Sequence, residues 1–260
     1  MTPSDMDENE PPRVALFVTC LADMFRPQIG FAAAKLLEQA GCRVDVPLQS
    51  CCGQPAYNGG DSMAVAAVAR NVIATFEPYP FVVVPSGSCA GMIRVHYPRV
   101  LADDESWAKR AAALATKTHE LFSFLVNVRG VTAVAAACSS GVAYHDSCSS
   151  LREMGVRDEP RLLLSSVDGL SLCELKEPQT CCGFGGFFSV KYPDVSARMA
   201  DDKIADALST GAEMLVGGDL GCLLHLSGRM ARRRERLPVR HAAEVMAGFG
   251  SQPAIGEEKP

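Results

Sequence analysis

Short apolar runs alternate with helical patterns along this chain, and the same alternation occurs twice. From Val14, the β-branched run "VALFVTC" ends at Cys20 and is followed by the helical pattern "IGFAAAKLLEQAG", which stops at Gly41. The strand-like "CRVDVP", the helical "SMAVAAVARNVIATF" and the apolar "FVVVPSGSC" come next. Strands that alternate with helices in this way are typical of parallel βαβ units.

The second half repeats this order of elements. From Val142, the segments "VAYHDSC", "EPRLLLSSV", "LSLCEL", "VSARMADDKIADALSTG" and "AEMLVGGDLGC" give the same succession of strand and helix patterns. We therefore predict an α/β fold made by tandem duplication of two similar βα units with parallel sheets, related by a pseudo-two-fold axis. The first repeat would span residues 13–103 and the second residues 131–246, joined by a helical connector over 104–130.

Both ends of the chain are polar, and the overall charge is mildly acidic. We predict disordered tails over residues 1–12 and 247–260. The opening "MTPSDMDENEPP" lacks the basic and apolar regions of a secretory signal, and no apolar run approaches the ~18 residues of a membrane span. A net charge of -5 gives no basic surface for nucleic acid. We expect a cytoplasmic protein with no membrane span and no nucleic-acid partner.

Cysteine spacing is the strongest chemical signal in the sequence. Of the 11 cysteines, each repeat contributes four in the order C…CC…C. The first cysteine precedes the adjacent pair by 31 positions in one half and 33 in the other, and the pair precedes the last by 37 and 40. Ligands gather beyond the carboxyl ends of parallel strands, so each foursome should converge in space. The two sets are Cys20, Cys51, Cys52 and Cys89, and Cys148, Cys181, Cys182 and Cys222.

Four converging thiols indicate a metal centre in a compartment where disulfides are rare. Thiolates suit either zinc or an iron–sulfur cluster. Adjacent cysteines favour a cluster of several irons, because zinc ligands usually lie two to four residues apart. Gly53 and Gly183 follow the two pairs and would let backbone N–H groups approach the sulfurs. Three hypotheses remain: an electron-transfer protein, a thiol–disulfide reductase with substrate chemistry at a cluster, and a zinc-binding scaffold.

Other residues near the motifs have simpler interpretations. His145 stands three positions before Cys148 and either donates to a cluster sulfur or bonds to a backbone carbonyl. We expect His145 to interact with the ligands of the cluster rather than to bind the metal itself. Cys42 and Cys173 lie on predicted strands, and Cys138 has no counterpart in the other repeat. Free cysteine is often a buried hydrophobe, so core packing is expected for Cys42 and Cys173, whereas Cys138 is interpreted as incidental.

The motifs resemble a known family. "CLADMFRPQIGFAAAKLLEQAGC", "CCGQPAYNGG", "PSGSCAGM", "YHDSC", "CCGFGGFFSV" and "DLGCLLH" are similar to the cysteine-rich CCG domain family, and within it to the lactate-utilisation protein A branch. The wider family includes one of the subunits of heterodisulfide reductase and the iron–sulfur subunits of glycolate and glycerol-3-phosphate dehydrogenases. The resemblance covers about residues 13 to 246.

The resemblance implies an iron–sulfur protein that carries electrons during oxidation of L-lactate to pyruvate. It implies companion iron–sulfur and accessory proteins and a downstream electron acceptor, and it makes each cysteine foursome the ligand set of one cluster. The family's last motif is usually C-x-x-C, whereas this chain has Ser86 and Asp219 at the first position. Two [4Fe–4S] clusters are therefore the simpler expectation, with zinc at one site as the alternative. For the Asp219 carboxylate we expect a helix cap rather than an oxygen ligand. No catalytic residue is assigned.

Overall fold

The strands form two parallel sheets of the same design. The computed structural model describes residues 10–257. The first sheet contains β1 (Arg13–Leu16), β2 (Arg43–Asp45), β3 (Phe81–Val84) and β4 (Thr118–Glu120), and the second contains β5 (Gly141–His145), β6 (Ser171–Cys173), β7 (Met214–Gly217) and β8 (Val239–His241). The strand orders are β2-β1-β3-β4 and β6-β5-β7-β8, and every pairing is parallel. The predicted α/β duplication is confirmed.

Helices connect the strands in both halves. The first half contains α1 (Cys20–Phe25), α2 (Gln28–Gln39), α3 (Gln54–Gly59), α4 (Ser62–Phe76), α5 (Gly87–Gly91), α6 (Tyr97–Val100), α7 (Glu105–Thr116) and α8 (Leu121–Ser123). The second contains α9 (Cys148–Arg152), α10 (Asp158–Ser165), α11 (Phe187–Lys191), α12 (Pro193–Ser209), α13 (Leu220–Arg233) and α14 (Ala242–Met246). Two π-helical segments, Met92–His96 and Phe124–Val128, extend α5 and α8. Among the described residues, no helix combines the length and apolarity needed to cross a membrane.

One hydrophobic cluster lies between the two sheets and joins the halves. Val14 and Leu16 of β1 share it with Val142 and Tyr144 of β5 and with side chains from α2, α10 and α14. The alternate residues of the same strands, such as Ala15, point to separate outer clusters. This follows from the two-residue period of a strand, which sends successive side chains to opposite faces. The central cluster makes the two repeats one packed body.

Contacts between the halves come in matched pairs. Helix α2 packs against α14, and α10 packs against α8; α5 packs against α9, and α1 packs against α13. Exchanging the two repeats turns the α2–α14 contact into the α10–α8 contact, and the α5–α9 contact into the α13–α1 contact. For the second pair this follows because α1 and α9 come after β1 and β5, while α5 and α13 come after β3 and β7. This exchange is the predicted pseudo-two-fold relation. It brings the carboxyl ends of the central strands of both sheets close to the axis.

The segment predicted as a helical connector contains a strand. Within residues 104–130, β4 pairs with β3 and completes the first sheet, with Val82 opposite Thr118 and Val84 opposite Glu120. The three residues "THE" are too few and too polar to give a strand pattern in the sequence. Their pairing with β3, rather than their composition, places them in the sheet. The first structural repeat therefore extends beyond residue 103.

Part of the predicted C-terminal tail is packed. The structure describes residues 247–257, and in this segment Ala254 and Ile255 are buried. The Ile255 amide donates to the Val239 carbonyl, and Ser227 Oγ donates to the Ile255 carbonyl. Scattered apolar residues in a segment rich in glycine and polar residues give little local signal, and the order of Ala254 and Ile255 comes from β8 and α13. Residues 1–9 and 258–260 of the two predicted tails lie outside the described residues.

Helices α5 and α9 approach so closely that only glycine fits between them. A Cβ on Gly87 would lie 2.0 Å from Ser150 Oγ and 2.6 Å from Ser150 N. We predict that Gly87→Ala lowers the free energy of unfolding by about 2 kcal/mol, because the extra methyl group forces the two helices apart. Urea unfolding followed by circular dichroism measures the change.

The matched control for this substitution is Gly228→Ala in α13. A Cβ on Gly228 meets nothing within 4 Å, so this variant should gain up to about 1 kcal/mol from helix propensity. Equal unfolding midpoints for Gly87→Ala and the unchanged protein would show that α5 and α9 are not in contact in solution.

Candidate metal centres

Three loops of the first repeat bring four sulfurs to one place. Cys20 opens α1 after β1, the Cys51–Cys52 pair follows β2, and Cys89 lies in α5 after β3. The Sγ atoms of Cys20 and Cys51 are 3.5 Å apart, and those of Cys52 and Cys89 are 3.1 Å apart. Because β2, β1 and β3 are neighbours in the sheet, their carboxyl ends meet at one edge. We call this set the first centre.

The second repeat builds the same arrangement, which we call the second centre. The Sγ atoms of Cys182 and Cys222 are 3.0 Å apart, and Cys148 hydrogen-bonds with Cys181. Cys148 opens α9, the adjacent pair follows β6, and Cys222 lies in α13 after β7. Every cysteine predicted as a ligand is therefore brought into one of two foursomes.

Glycine makes the turn that points each cysteine pair inward. Gly53 and Gly183 have left-handed φ angles of 82° and 84°. Their amides donate to Cys51 Sγ and Cys181 Sγ, each at 3.4 Å. A Cβ on Gly183 would lie 2.6 Å from the Ser196 carbonyl oxygen. The conformation and the close approach both require glycine, and the turn directs backbone N–H groups at sulfur.

One thiol in each centre ionises first. Hydrogen bonds from Cys20 and then Cys52 lower the pKa of Cys51 to about 2, and Cys148 and then Cys182 lower the pKa of Cys181 to about 2. The same bonds raise the pKa of their donors, and burial adds to the increase. A second thiolate in either centre would lie beside the first, and a bound cation offsets the repulsion between their negative charges. The two donor sets therefore fit a metal that prefers sulfur ligands.

Each centre has an inner and an outer pair of cysteines. The inner pair is buried, with Cys52 and Cys182 each 2% exposed and Cys89 and Cys222 each 7% exposed. The outer cysteines are partly exposed in both halves: Cys20, Cys51, Cys148 and Cys181. A metal bound by all four sulfurs would have one side in the protein and the other near solvent.

His145 lies at the second centre. One of its ring nitrogens and the Sγ atoms of Cys182 and Cys222 all lie within 4.8 Å of one another. The residue is 1% exposed, and within residues 10–257 neither ring nitrogen has a hydrogen-bond partner. Burial, with a smaller effect of Lys203, lowers the pKa of His145 to about 3. The alternative prediction, a hydrogen bond from His145 to a backbone carbonyl, is not observed among the described residues.

Comparison with known proteins agrees with this geometry. The family model for the CCG cysteine-rich domain matches the chain twice, over residues 14–94 and 142–227. The chain belongs to the CCG cysteine-rich domain family. Each match contains one complete cysteine foursome, so each CCG domain carries one of the two centres.

Named relatives extend over nearly the whole chain. Lactate utilization protein A 1 of Bacillus cereus (strain AH820) is 47% identical over 235 residues, which is 90% of this chain and 98% of the relative. Lactate utilization protein A of Bacillus thuringiensis (strain Al Hakam) matches with the same identity and coverage. A crystal structure of a hypothetical protein from Helicobacter pylori superposes with a TM-score of 0.64 at 15% identity, over 96% of this chain and 50% of that one. That likeness concerns the fold alone.

Asp219 and Ser86 occupy equivalent positions in the two CCG domains and meet across the pseudo-two-fold axis. Asp219 Oδ2 accepts a hydrogen bond from Ser88 N at 2.9 Å and one from Ser86 Oγ at 3.2 Å. Asp219 is the N-cap residue of α13, as expected, but its side chain forms no regular capping hydrogen bond with that helix. Burial raises the pKa of this carboxyl group. The carboxylate instead ties the second CCG domain to the first.

Several supporting residues were not found from the sequence. Tyr97 Oη donates to the Cys52 carbonyl at 2.8 Å, and Lys203 Nζ donates to the Glu177 carbonyl at 2.6 Å, just before the second cysteine pair. Lys203 is fully buried. Its position on the apolar stripe of α12 is a signal that could have revealed it, because a buried lysine needs acceptors for its ammonium group.

A second support lies behind Gly183. Ser196 Oγ donates to the Gly183 carbonyl at 2.8 Å and lies 3.2 Å from His225 Nε2. The ring of His225 also lies 5.9 Å from that of Phe184, centroid to centroid. These contacts hold the second CCG turn from its outer side.

The remaining cysteines stay apart from the centres. Cys42 is buried in the central cluster, Cys138 packs against that cluster, and Cys173 lies half-buried on β6. Within the part of the chain that the structure describes, none of the three is hydrogen-bonded to another thiol. The burial of Cys42 agrees with its expected packing role.

We predict that Cys182→Ala removes about half of the bound metal, because each centre binds with its own four sulfurs and loses affinity when one is missing. Cys138→Ala is the control and should keep the full metal content. Metal analysis of the anaerobically purified variants gives the ratio. Metal loss in the control, or full retention in Cys182→Ala, would contradict this assignment of ligands.

Asp219→Ala should lower the free energy of unfolding by about 2 kcal/mol, because it leaves the Ser88 amide without its buried acceptor. Asp219→Asn keeps an acceptor oxygen and should cost less. Both variants are expected to retain full metal content, measured together with urea unfolding. Loss of half of the metal in both would instead identify Asp219 as an oxygen ligand.

Proposed function

We propose that this chain is the iron–sulfur electron-transfer subunit of a complex that oxidises L-lactate to pyruvate. The observation that carries the proposal is the pair of four-cysteine centres within a chain that is 47% identical, over 90% of its length, to a relative named Lactate utilization protein A 1. We infer one [4Fe–4S] cluster in each centre, held by Cys20, Cys51, Cys52 and Cys89 and by Cys148, Cys181, Cys182 and Cys222.

The residues around each centre suit a group that changes charge. When bound, iron–sulfur clusters supply reversible one-electron transfer. The amides of Gly53, Gly183 and Phe184 donate to the sulfurs of the cysteine pairs at 3.4 Å, which stabilises negative charge on those sulfurs. The buried inner cysteines keep water from one side of each centre. Thiolate ligation, N–H···S bonds and burial together would set the potentials.

The partly exposed outer cysteines support exchange of electrons with other proteins. Oxidation of lactate to pyruvate releases two electrons and two protons, and this chain would take the electrons one at a time from a lactate-oxidising companion. It would pass them to a downstream acceptor on another protein. No residue of this chain is assigned to lactate itself. All 11 cysteines are free, which supports a cytoplasmic location, where thiols stay reduced.

Purified anaerobically, the protein is expected to be brown and to hold about eight irons with matching acid-labile sulfide, as two four-iron clusters require. Iron and sulfide analysis with absorption spectroscopy tests this. Colourless protein with stoichiometric zinc would overturn the proposal in favour of a scaffold. Rapid reduction of disulfide substrates by the reduced protein would instead favour a thiol–disulfide reductase.

The lactate assignment has its own experiment. A strain deleted for the gene should fail to grow on L-lactate and should be rescued by Cys138→Ala but not by Cys182→Ala. Normal growth of the deletion strain on L-lactate, with loss of growth on another 2-hydroxy acid, would move the proposal to that substrate. Normal growth on every 2-hydroxy acid would overturn the assignment to this class of substrates.

A further inference from the structure

The two centres have matching cysteines but different surroundings. Phe17 and His145 occupy equivalent positions, each at the carboxyl end of a central strand and three residues before the first ligand of its centre. Phe17 is fully buried and packs against Phe76, with ring centroids 5.3 Å apart. His145 is buried to the same degree, yet it places an unpartnered imidazole beside two ligand sulfurs.

The neighbouring strand residues differ in the same way. His145 pairs with Gly217 across β5 and β7, and a Cβ on Gly217 would lie 3.1 Å from the His145 carbonyl oxygen. The residue that ends β3, in the place of Gly217, is Val84. The second repeat therefore has a glycine close to the His145 backbone, and the first repeat has apolar side chains at both equivalent positions.

A second substitution places a positive charge near the second centre. The buried residues of α4 and α12 follow one pattern, and in it Lys203 takes the place of Val72. In matching order, the buried residues of α4 are Val65, Ala69, Val72, Ile73 and Phe76, and those of α12 are Ser196, Ala200, Lys203, Ile204 and Ala207. Lys203 Nζ donates to the carbonyls of Glu177 and Pro178, in the segment that leads to Cys181.

We propose that the second centre holds an electron more tightly than the first, because His145 donates an N–H···S hydrogen bond to a ligand sulfur and Lys203 places a buried positive charge nearby. This inference rests on the proposed iron–sulfur function. An imidazole that is not bound to metal always carries at least one N–H, and the ring has no other acceptor among the described residues.

The physical basis is the charge that reduction adds. Hydrogen bonds to cluster sulfur and nearby cations stabilise the more negative, reduced state, and the low dielectric of the interior strengthens both effects. Phe17 and Val72 supply neither effect to the first centre. One electron would then leave the reduced first centre and enter the oxidised second centre, with no bond made or broken. The centre held by Cys20, Cys51, Cys52 and Cys89 would then be the one that accepts electrons from the donor protein, and the other centre would be the one that delivers them.

The experiment compares the two centres separately. Cys182→Ala leaves the first centre alone, Cys52→Ala leaves the second, and a redox titration followed by electron paramagnetic resonance gives each midpoint potential. We expect the second centre to hold its electron at least tenfold more strongly, which is about 59 mV for a one-electron couple. Equal potentials, or a lower potential at the second centre, would overturn the inference.

The roles of the two side chains are then tested in the Cys52→Ala background. His145→Phe and Lys203→Met should each shift the remaining centre to a more negative potential with its iron retained. Lys203→Arg keeps the charge and should shift it less. Lys176→Met removes an exposed lysine from the same segment and should leave the potential unchanged, because solvent screens that charge. Unchanged potentials in both His145→Phe and Lys203→Met would overturn these roles.

The remaining outcomes of these experiments are distinguishable from one another. If His145→Phe does not fold, the comparison of the two single-centre proteins and the Lys203→Met variant still test the inference. Strong coupling to nitrogen in protein labelled with ¹⁵N-histidine would show that His145 binds iron directly, and this would overturn the hydrogen-bond role. Absence of iron from the unchanged protein would refute the proposed function, whereas two iron centres of equal potential would refute only this inference.

Discussion

Repulsion among closely spaced thiolates is the constraint on which both halves of the molecule depend. Each centre can ionise one cysteine readily, Cys51 or Cys181, because its neighbours donate S–H hydrogen bonds to it. Further ionisation would place like charges within about 3 to 4 Å of one another inside the protein. The sulfurs come from loops after three different strands, so a cation that binds them also fastens those loops together. Metal binding and local folding are therefore linked.

The two centres share a single frame. The central apolar cluster, the Asp219 contacts with Ser86 and Ser88, and a bond from Arg26 to the buried Glu244 all cross between the repeats. Both centres lie at strand ends near the pseudo-two-fold axis. Because the helices that carry Cys89 and Cys148 pack directly against each other, the separation between the centres is set by the fold rather than by a flexible linker.

Apolar runs and cysteine spacing were enough to predict the central strands, the duplication and the members of both foursomes. The polar strand "THE" was missed because its place depends on pairing with β3, and the packing of Ile255 was missed because it depends on β8. The partner of Asp219 lies 131 to 133 positions away in sequence, beyond the reach of any local pattern. Lys203 is different, since a lysine on an apolar helical stripe is visible in the sequence itself.

The matched contacts across the axis have a consequence for how such a protein could arise. They have the form of a symmetric dimer interface, in which the same patch on two identical subunits meets itself. In a dimer of one ancestral repeat, symmetry would make both centres identical, and any change at the place of Phe17 would appear at the place of His145 as well. Fusion of two gene copies into one chain removes that restriction. Each half can then acquire its own side chains. The two centres can become different, so that electron transfer between them is favoured in one direction.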